Sequence, residues 1–160
     1  MNVTQAHQFQ STLEWTGASA GPTRDIKSYS REYELRFPGK AAIGGSAAPQ
    51  YLGDPARANP EELFLASLSA CQMLTYLALA ARAKVHVTAY TDEAEAVLAP
   101  ENGKWRITQV TLRPKISIAA GSDPATARDL VEQAHEGCFV ARSVSCEVVN
   151  EPQIVEVPAS

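Results

Sequence analysis

The first forty residues alternate between apolar and polar side chains, and this period of two is typical of β-strands. The apolar positions of this segment are Phe9, Leu13, Trp15, Tyr33, Leu35 and Phe37. Turn-forming pairs at Gly21-Pro22 and Pro38-Gly39 bound the alternating runs. The pattern predicts two or three antiparallel strands. Residues 39–58 hold four glycines and two prolines without a clear period, which predicts a long loop of the kind that often carries function.

A strong helix start follows this loop. Asn59 is a good N-cap, Pro60 suits the first helical position, and Glu62 stands three residues after the cap to complete a capping box. Glu61 and Glu62 add negative charge to the first turn, where the helix dipole favours it. The spacing predicts a helix that runs to about Ala83 and is apolar almost all round.

This helix needs to be covered on most of its sides. Residues 63–81 carry no charge and approach the length that spans a bilayer. Their polar side chains would be costly in lipid, so we expect a helix buried inside a protein and no membrane contact. These polar residues are Ser67, Ser69, Gln72, Thr75 and Tyr76. Because a chain of 160 residues struggles to cover such a helix, we expect a homodimer that packs two copies together.

The second half of the chain alternates strand and helix signals. Residues 85–90 predict a strand, residues 101–103 (Glu-Asn-Gly) a turn, and residues 105–118 the return strand. Asp123-Pro124 predicts a second helix that reaches about Glu136, and residues 144–157 again resemble a strand. The inner face of the second helix is predicted to hold Leu130, Val131 and Ala134. This order predicts an α+β fold in one domain, residues 1–160, and not a doubly wound sheet.

Charge and cysteine content exclude several classes of function. The net charge is −4, from 14 basic and 18 acidic residues, and no basic run provides a footprint for nucleic acid. The first ten residues have neither the basic start nor the apolar core of a signal peptide. Three unevenly spaced cysteines do not predict a disulfide framework, so we expect a cytoplasmic protein.

The three cysteines carry different expectations. Cys71 lies mid-helix on an apolar stripe that predicts a packed seam, where a thiol is either a small buried hydrophobe or a reactive group. The other members of that stripe are Phe64, Leu68, Leu74 and Ala78. Cys138 follows Gly137 at a helix break, where the N–H groups of a new turn can stabilise a thiolate, and its role stays open. Cys146 has no supporting feature and is expected to be structural.

No metal or cofactor is expected. His135, Cys138 and Cys146 match no paired metal-ligand spacing and would need a distant fourth ligand. The chain also has no Gly-x-Ser-x-Gly motif of a hydrolase, and Gly44-Gly45-Ser46 lacks the lysine of a phosphate-binding loop.

Several motifs together resemble the osmotically inducible protein C (OsmC) and organic hydroperoxide resistance family. These are the helix start Asn-Pro-Glu-Glu-Leu-Phe at residues 59–64, Ala70-Cys71, and a second cysteine, Cys138, 67 residues later. Trp15-Thr16-Gly17, Gly137-Cys138 and the order of elements agree with the family along nearly the whole chain. The resemblance implies antiparallel sheets wrapped around a long buried central helix in an intertwined homodimer.

The resemblance also implies a function in defence against oxidative stress. A family member of this kind reduces organic hydroperoxides to alcohols and is recycled by an external dithiol, possibly a lipoyl protein or a small thiol. By motif, Cys71 matches the peroxidatic cysteine, Cys138 the resolving cysteine and Glu61 the glutamate of the helix motif. Arg24 is the best match to the activating arginine, and Arg31 is the alternative.

Two departures keep a second function open. Gln72 follows Cys71 where well-studied members tend to have an aromatic residue, and Phe139 follows Cys138 where they tend to have proline. A binding or redox-sensing protein with little peroxidase turnover is therefore the alternative.

The position of Glu61 predicts an active site that two chains share. Glu61 and Cys71 are ten residues apart on one predicted helix, or about 15 Å along its axis. A glutamate side chain cannot bridge this distance, so we expect Glu61 to serve Cys71 of the partner chain.

Overall fold

The computed structural model describes residues 6–158. The chain divides into two compact units, Met1–Leu63 and Phe64–Ser160. The first unit holds one three-stranded sheet and the second holds two, with a long helix and a shorter one. The predicted α+β class is confirmed, whereas the prediction of a single domain over residues 1–160 stays a prediction.

The sheet of the first unit contains β1 (Thr12–Glu14), β2 (Tyr33–Arg36) and β3 (Ile43–Gly45), in that order and antiparallel. The predicted antiparallel strands are therefore confirmed. The third strand, β3, lies within residues 39–58, which the sequence predicts to be a loop. The sequence did not reveal this strand because its three residues include two glycines and show no alternation. A Cβ on Gly45 would lie 2.3 Å from the Tyr33 ring, so this strand needs glycine in order to pack.

The long helix α1 (Pro60–Arg82) begins and ends where the sequence predicts, to within one residue. The Asn59 N–H donates to the Glu62 carboxylate and the Glu62 N–H donates to Asn59 Oδ1, both at 2.9 Å, which completes the capping box. The helix ends in a Schellman motif, in which Lys84 adopts φ 59° and the Val85 N–H donates to the Ala80 carbonyl at 2.9 Å.

Six strands form the two sheets of the second unit. They are β4 (Val87–Asp92), β5 (Glu95–Glu101), β6 (Lys104–Leu112), β7 (Pro114–Ala119), β8 (Glu147–Asn150) and β9 (Gln153–Val157). The sheet orders are β4-β7-β9 and β5-β6-β8. The β4–β7 and β5–β6 pairs are antiparallel, whereas β6–β8 and β7–β9 are parallel. The expectation of purely antiparallel sheets is therefore wrong, since both sheets of this unit are mixed.

The prediction of one return strand over residues 105–118 is also wrong. The chain leaves one sheet after Leu112 and enters the other at Pro114, and the final segment divides in the same way between β8 and β9. Arg113 stabilises the crossing, because its guanidinium contacts Glu95 at 3.2 Å and Glu151 at 2.9 Å. Buried and more exposed residues alternate without interruption on both sides of Arg113, so the period of two in the sequence could not reveal where the chain changes sheet. The buried positions are Val110, Leu112, Pro114, Ile116 and Ile118. The predicted turn at Asn102-Gly103, with φ 52° and 77°, is confirmed.

The second helix, α2 (Pro124–Gly137), matches its prediction closely. Asp123 caps it by accepting hydrogen bonds from the N–H groups of Ala125 and Thr126. Its inner face packs with α1 and β7 in the larger core of the second unit. The buried residues of α2 are Ala127, Leu130, Val131 and Ala134.

The buried side of α1 differs from the predicted stripe. Its fully buried residues recur every four positions: Leu68, Gln72, Tyr76 and Ala80. Cys71 is half-buried at the flank of this row, while Leu74 is 62% exposed and Ala78 is exposed. Within one chain the stripe through Cys71, Leu74 and Ala78 is therefore not packed, and its burial in a homodimer stays a prediction. The side of α1 that is buried within the chain includes two polar residues with hydrogen-bond partners.

The length and hydropathy of α1 would allow it to cross a membrane. Its polar side chains have protein partners instead, since Gln72 and Tyr76 donate hydrogen bonds to backbone carbonyls of α2. These contacts place one side of α1 in the core of the second unit, whereas 22% of its apolar stretch is buried within this chain, so burial on most sides stays a prediction that rests on the homodimer.

Candidate dithiol site

Two cysteine side chains that are far apart in the sequence of the second unit lie close to each other in the structure. Cys71 comes from the middle of α1 and Cys138 caps the C-terminus of α2, and the Cys71 thiol is near enough to raise the pKa of Cys138. Cys138 is fully buried, whereas Cys71 is half-buried. Two adjacent thiols of unequal exposure make a dithiol that can close to a disulfide.

The backbone around Cys138 is tightly fixed. Its N–H donates to the His135 carbonyl at 3.2 Å, and its own carbonyl accepts from the Arg142 N–H at 3.1 Å. The chain then turns into a short 3₁₀ helix, Ala141–Ser143, whose first N–H donates to Cys138 Sγ at 3.3 Å. The sequence predicted this helix break, the new turn and its N–H groups.

The close approach of α2 to α1 depends on a small residue. A Cβ on Gly137 would lie 3.3 Å from the Cγ2 methyl of Thr75, one turn beyond Cys71 on α1. The Thr75 hydroxyl donates to the Cys71 carbonyl at 2.9 Å, which holds this methyl in place. Glycine at position 137 thus keeps the two helices near enough for the thiols to meet.

The environment of Cys138 favours the neutral thiol. Burial raises the pKa of Cys138 to about 11, and the neighbouring Cys71 thiol acts in the same direction. The N–H of Ala141 lowers the pKa of Cys138, but this effect is smaller. The N–H groups of the new turn do lower the pKa of Cys138, as the sequence suggested they can, but desolvation outweighs them.

Cys146 lies apart from the dithiol in a structural setting. It is half-buried just before β8 and packs against the smaller core cluster of Leu68, Val110 and Leu112. Within residues 6–158, no group of three His, Cys, Asp or Glu side chains is arranged to hold a metal ion.

The other predicted site residues belong to the first unit. Arg24 is exposed in the loop before β2, and its guanidinium has no hydrogen bond or ion pair within the described residues. Arg31 is half-buried, stacks 4.1 Å above the Tyr29 ring and donates to the carbonyls of Tyr29 and Ile26. Of the two arginines, Arg31 has the fixed guanidinium, although the sequence favoured Arg24.

Glu61 lies in the first turn of α1 and is half-buried. It is close to the hydroxyl of Tyr33, whose pKa is raised first by burial and then by the charges of Glu61 and Glu62. The roles of Arg24 and Glu61 in catalysis stay predictions.

The hydrogen bonds that Gln72 and Tyr76 donate to α2 were not predicted from the sequence. Gln72 Nε2 donates to the Val131 carbonyl at 2.9 Å, and the Tyr76 hydroxyl donates to the Ala127 carbonyl at 3.0 Å. The sequence did contain a signal for these hydrogen bonds, since the two residues are four positions apart in a largely apolar helix. Polar side chains that are buried together on one side of a helix need hydrogen-bond partners.

The fold and this site can now be compared with known proteins. The family model described as OsmC-like protein matches residues 53–151. A solved OsmC-like protein of unknown function from Vibrio cholerae is 34% identical, with a TM-score of 0.85 over 92% of this chain and 100% of that one. The chain belongs to the OsmC-like protein family. No curated protein matches it.

More distant OsmC-like structures share the same fold. An organic hydroperoxide resistance protein from Elizabethkingia anophelis is 21% identical, with a TM-score of 0.69 over 97% of this chain and 100% of that one. The organic hydroperoxide resistance protein OhrB of Bacillus subtilis is 20% identical, with a TM-score of 0.62 over 92% and 98%. At these identities the likeness shows the shared fold.

Proposed function

We propose that this OsmC-like protein is a thiol-dependent peroxidase that reduces organic hydroperoxides to alcohols. The observation that carries the proposal is the contact between the half-buried thiol of Cys71 and the buried thiol of Cys138. One thiol within reach of solvent and a second directly beside it are the two groups that a two-cysteine peroxidase needs.

The reaction has two steps within the protein. The Cys71 thiolate attacks the distal oxygen of ROOH, the O–O bond breaks, and the products are a Cys71 sulfenic acid and, after proton uptake, ROH. The Cys138 sulfur then attacks the sulfur of the sulfenic acid, forming the disulfide and releasing water. An external dithiol reduces this disulfide and becomes oxidised itself.

The difference between the two thiols supports the order of these steps. Cys138 is fully buried and its pKa is raised to about 11, so at neutral pH it is a protonated thiol and a poor first nucleophile. Cys71 has the access that a hydroperoxide requires. Cys71 is therefore the peroxidatic cysteine of the proposal and Cys138 the resolving cysteine.

A cation and a second chain complete the proposed site. An arginine guanidinium stabilises a thiolate without titrating itself, and the candidates are Arg24 and Arg31. A carboxylate such as Glu61 can orient a guanidinium through paired hydrogen bonds. In the proposed homodimer, Glu61 of one chain serves Cys71 of the other, so a monomer with full turnover would contradict the shared site.

The apolar surroundings support the class of substrate. Leu68 and Leu74 lie one turn from Cys71 on either side of it along α1, and such side chains favour a hydroperoxide with an apolar organic group over hydrogen peroxide. We further propose a cytoplasmic location, a role in defence against oxidative stress, and a dithiol reductant such as a lipoyl protein.

One experiment tests the core of this proposal. The protein is treated with one equivalent of cumene hydroperoxide without reductant, and its peptides are mapped by mass spectrometry. We expect a Cys71–Cys138 disulfide in the native chain and in the Cys146→Ser control, with catalytic consumption of hydroperoxide once dihydrolipoamide is added. Three intact thiols after treatment would overturn the proposal.

A redox-sensing role is the second candidate, and one observation favours it. The raised pKa of Cys138 keeps its thiolate scarce at neutral pH, which slows resolution and prolongs the life of a sulfenic acid. Stoichiometric formation of the disulfide without catalytic turnover in the presence of dihydrolipoamide would favour the sensor over the peroxidase.

A further inference from the structure

Two side chains on α1 join this helix to α2 at two points that are one turn apart on both helices. Gln72 donates to the carbonyl of Val131 and Tyr76 donates to the carbonyl of Ala127, so a spacing of four on α1 meets a spacing of four on α2. Both donors are almost completely buried, with Gln72 1% exposed and Tyr76 0%. A pair of bonds with matched spacing fixes the rotation of α1 and its position along α2.

Apolar packing alone would fix this position less strictly. The core that α1 shares with α2 consists mainly of alanine, valine, leucine and isoleucine side chains, and such cores tolerate small repacking. A shift by one residue moves a helix by about 1.5 Å and rotates its side chains by about 100°, which would break both bonds at once.

Stability alone does not explain a glutamine at position 72. Its Oε1 atom is buried and accepts no hydrogen bond within residues 6–158. An unpaired buried acceptor is destabilising and offsets the benefit of the Nε2 bond. Methionine has a similar length and would fill the same space without this penalty.

We propose that Gln72 and Tyr76 are positioning residues that hold the two cysteine-bearing helices in the register that lets Cys71 and Cys138 form a disulfide. Gln72 is the neighbour of Cys71 on α1, and the carbonyl that it contacts lies seven residues before Cys138 on the α2 side. A disulfide requires Cα atoms about 4.4–6.8 Å apart, so a slip of one residue uses much of the allowed range. The inference deepens the proposed function and rests on its dithiol chemistry.

Exchange with glutathione measures this positioning without any peroxide. The Cys71 thiolate attacks oxidised glutathione and releases one glutathione thiolate, and the Cys138 thiolate then attacks the Cys71 sulfur and releases the second. In sum, the protein dithiol and one oxidised glutathione give the protein disulfide and two reduced glutathiones. The equilibrium yields the effective concentration of one thiol at the other.

We expect Gln72→Met to lower this effective concentration roughly tenfold, because a small misplacement of reacting groups has a large effect on an intramolecular step. The urea midpoint of the reduced protein should stay the same or rise, an outcome that a merely structural role would not give. Tyr76→Phe, which removes only the hydroxyl, should lower the effective concentration severalfold. Gln133→Met, on the exposed side of α2, is the matched control and should change neither quantity.

An effective concentration that is unchanged in both Gln72→Met and Tyr76→Phe would overturn the inference, as would a native chain that forms no Cys71–Cys138 disulfide with glutathione. A native chain that shows this dependence on Gln72 but consumes no hydroperoxide would retain the positioning role and refute only the peroxidase.

Discussion

The two helices that carry the cysteines differ in how their buried sides are chosen. In α2, apolar residues occupy one face and charged residues the other, and the predicted inner residues Leu130, Val131 and Ala134 are all buried. In α1, apolar residues lie on every side of the helix, and the side buried within the chain carries the hydrogen-bonded Gln72 and Tyr76. The buried side of an amphipathic helix can therefore be predicted from its sequence. In a helix with apolar residues on every side, the few polar contacts show which side is buried.

The same contrast makes the two thiols chemically unequal. Cys138 follows the last turn of the amphipathic helix and is completely enclosed, so its pKa is raised. Cys71 sits beside the buried row of α1 and keeps partial access to solvent. Substitutions in each helix therefore test whether the two thiols and the two buried sides differ in this way.

The largest expected effect concerns the thiols themselves. Cys71→Ser should reduce the rate of hydroperoxide consumption by at least about a thousandfold, because a hydroxyl is a far weaker nucleophile than a thiolate. Cys138→Ser should still react once and retain a Cys71 sulfenic acid that dimedone labels for mass spectrometry. If Cys138→Ser forms no sulfenic acid while Cys71→Ser does, the assigned roles are reversed.

A second comparison removes one leucine from each helix. Leu130→Ala in α2 should lower the free energy of unfolding by about 3 kcal/mol at any protein concentration, because it leaves a cavity in the core. Leu74→Ala in α1 should have a cost below about 1 kcal/mol in dilute solution, where the proposed dimer is dissociated. Urea unfolding at two protein concentrations measures both, and equal losses in dilute solution would contradict the observed orientation of α1.

The enclosure of Cys138 predicts a pH dependence of stability. Its pKa rises from 9.0 to about 11 on folding, so the folded chain favours the protonated thiol. The stabilisation is complete below pH 9 and is lost as the pH rises through 11. Between pH 9 and 11, Cys138→Ala should therefore lose less stability than the native chain, as thermal unfolding would show. Cys146→Ala is the control, and an identical loss in all three proteins would contradict the enclosure of Cys138.

The smallest expected effects are at the helix starts, where the two helices behave alike. Asn59→Ala removes the cap of α1 and Asp123→Ala removes the cap of α2, and each should cost about 1 kcal/mol of unfolding free energy. Exposed Gln133→Ala on α2 is the control. A cap substitution with no effect on the urea midpoint would show that packing alone sets that helix start.

Local signals in the sequence determined much of this protein. Capping residues, a turn with two positive φ angles and the periodicity of α2 act within a few neighbouring residues, so they predicted both helix starts, the Asn102-Gly103 turn and the buried face of α2. The helix motif and the two cysteines also indicated the family, which the comparisons confirm.

Only the tertiary structure decided the features that depend on distant partners. An unbroken alternation divides between two sheets at Arg113, which contacts Glu95 and Glu151, and no local period records such a crossing. The inward side of α1 depends on carbonyls of α2 that are more than fifty residues away. The raised pKa of Cys138 likewise arises from burial by the rest of the fold, which overrides the backbone donor that the sequence could predict.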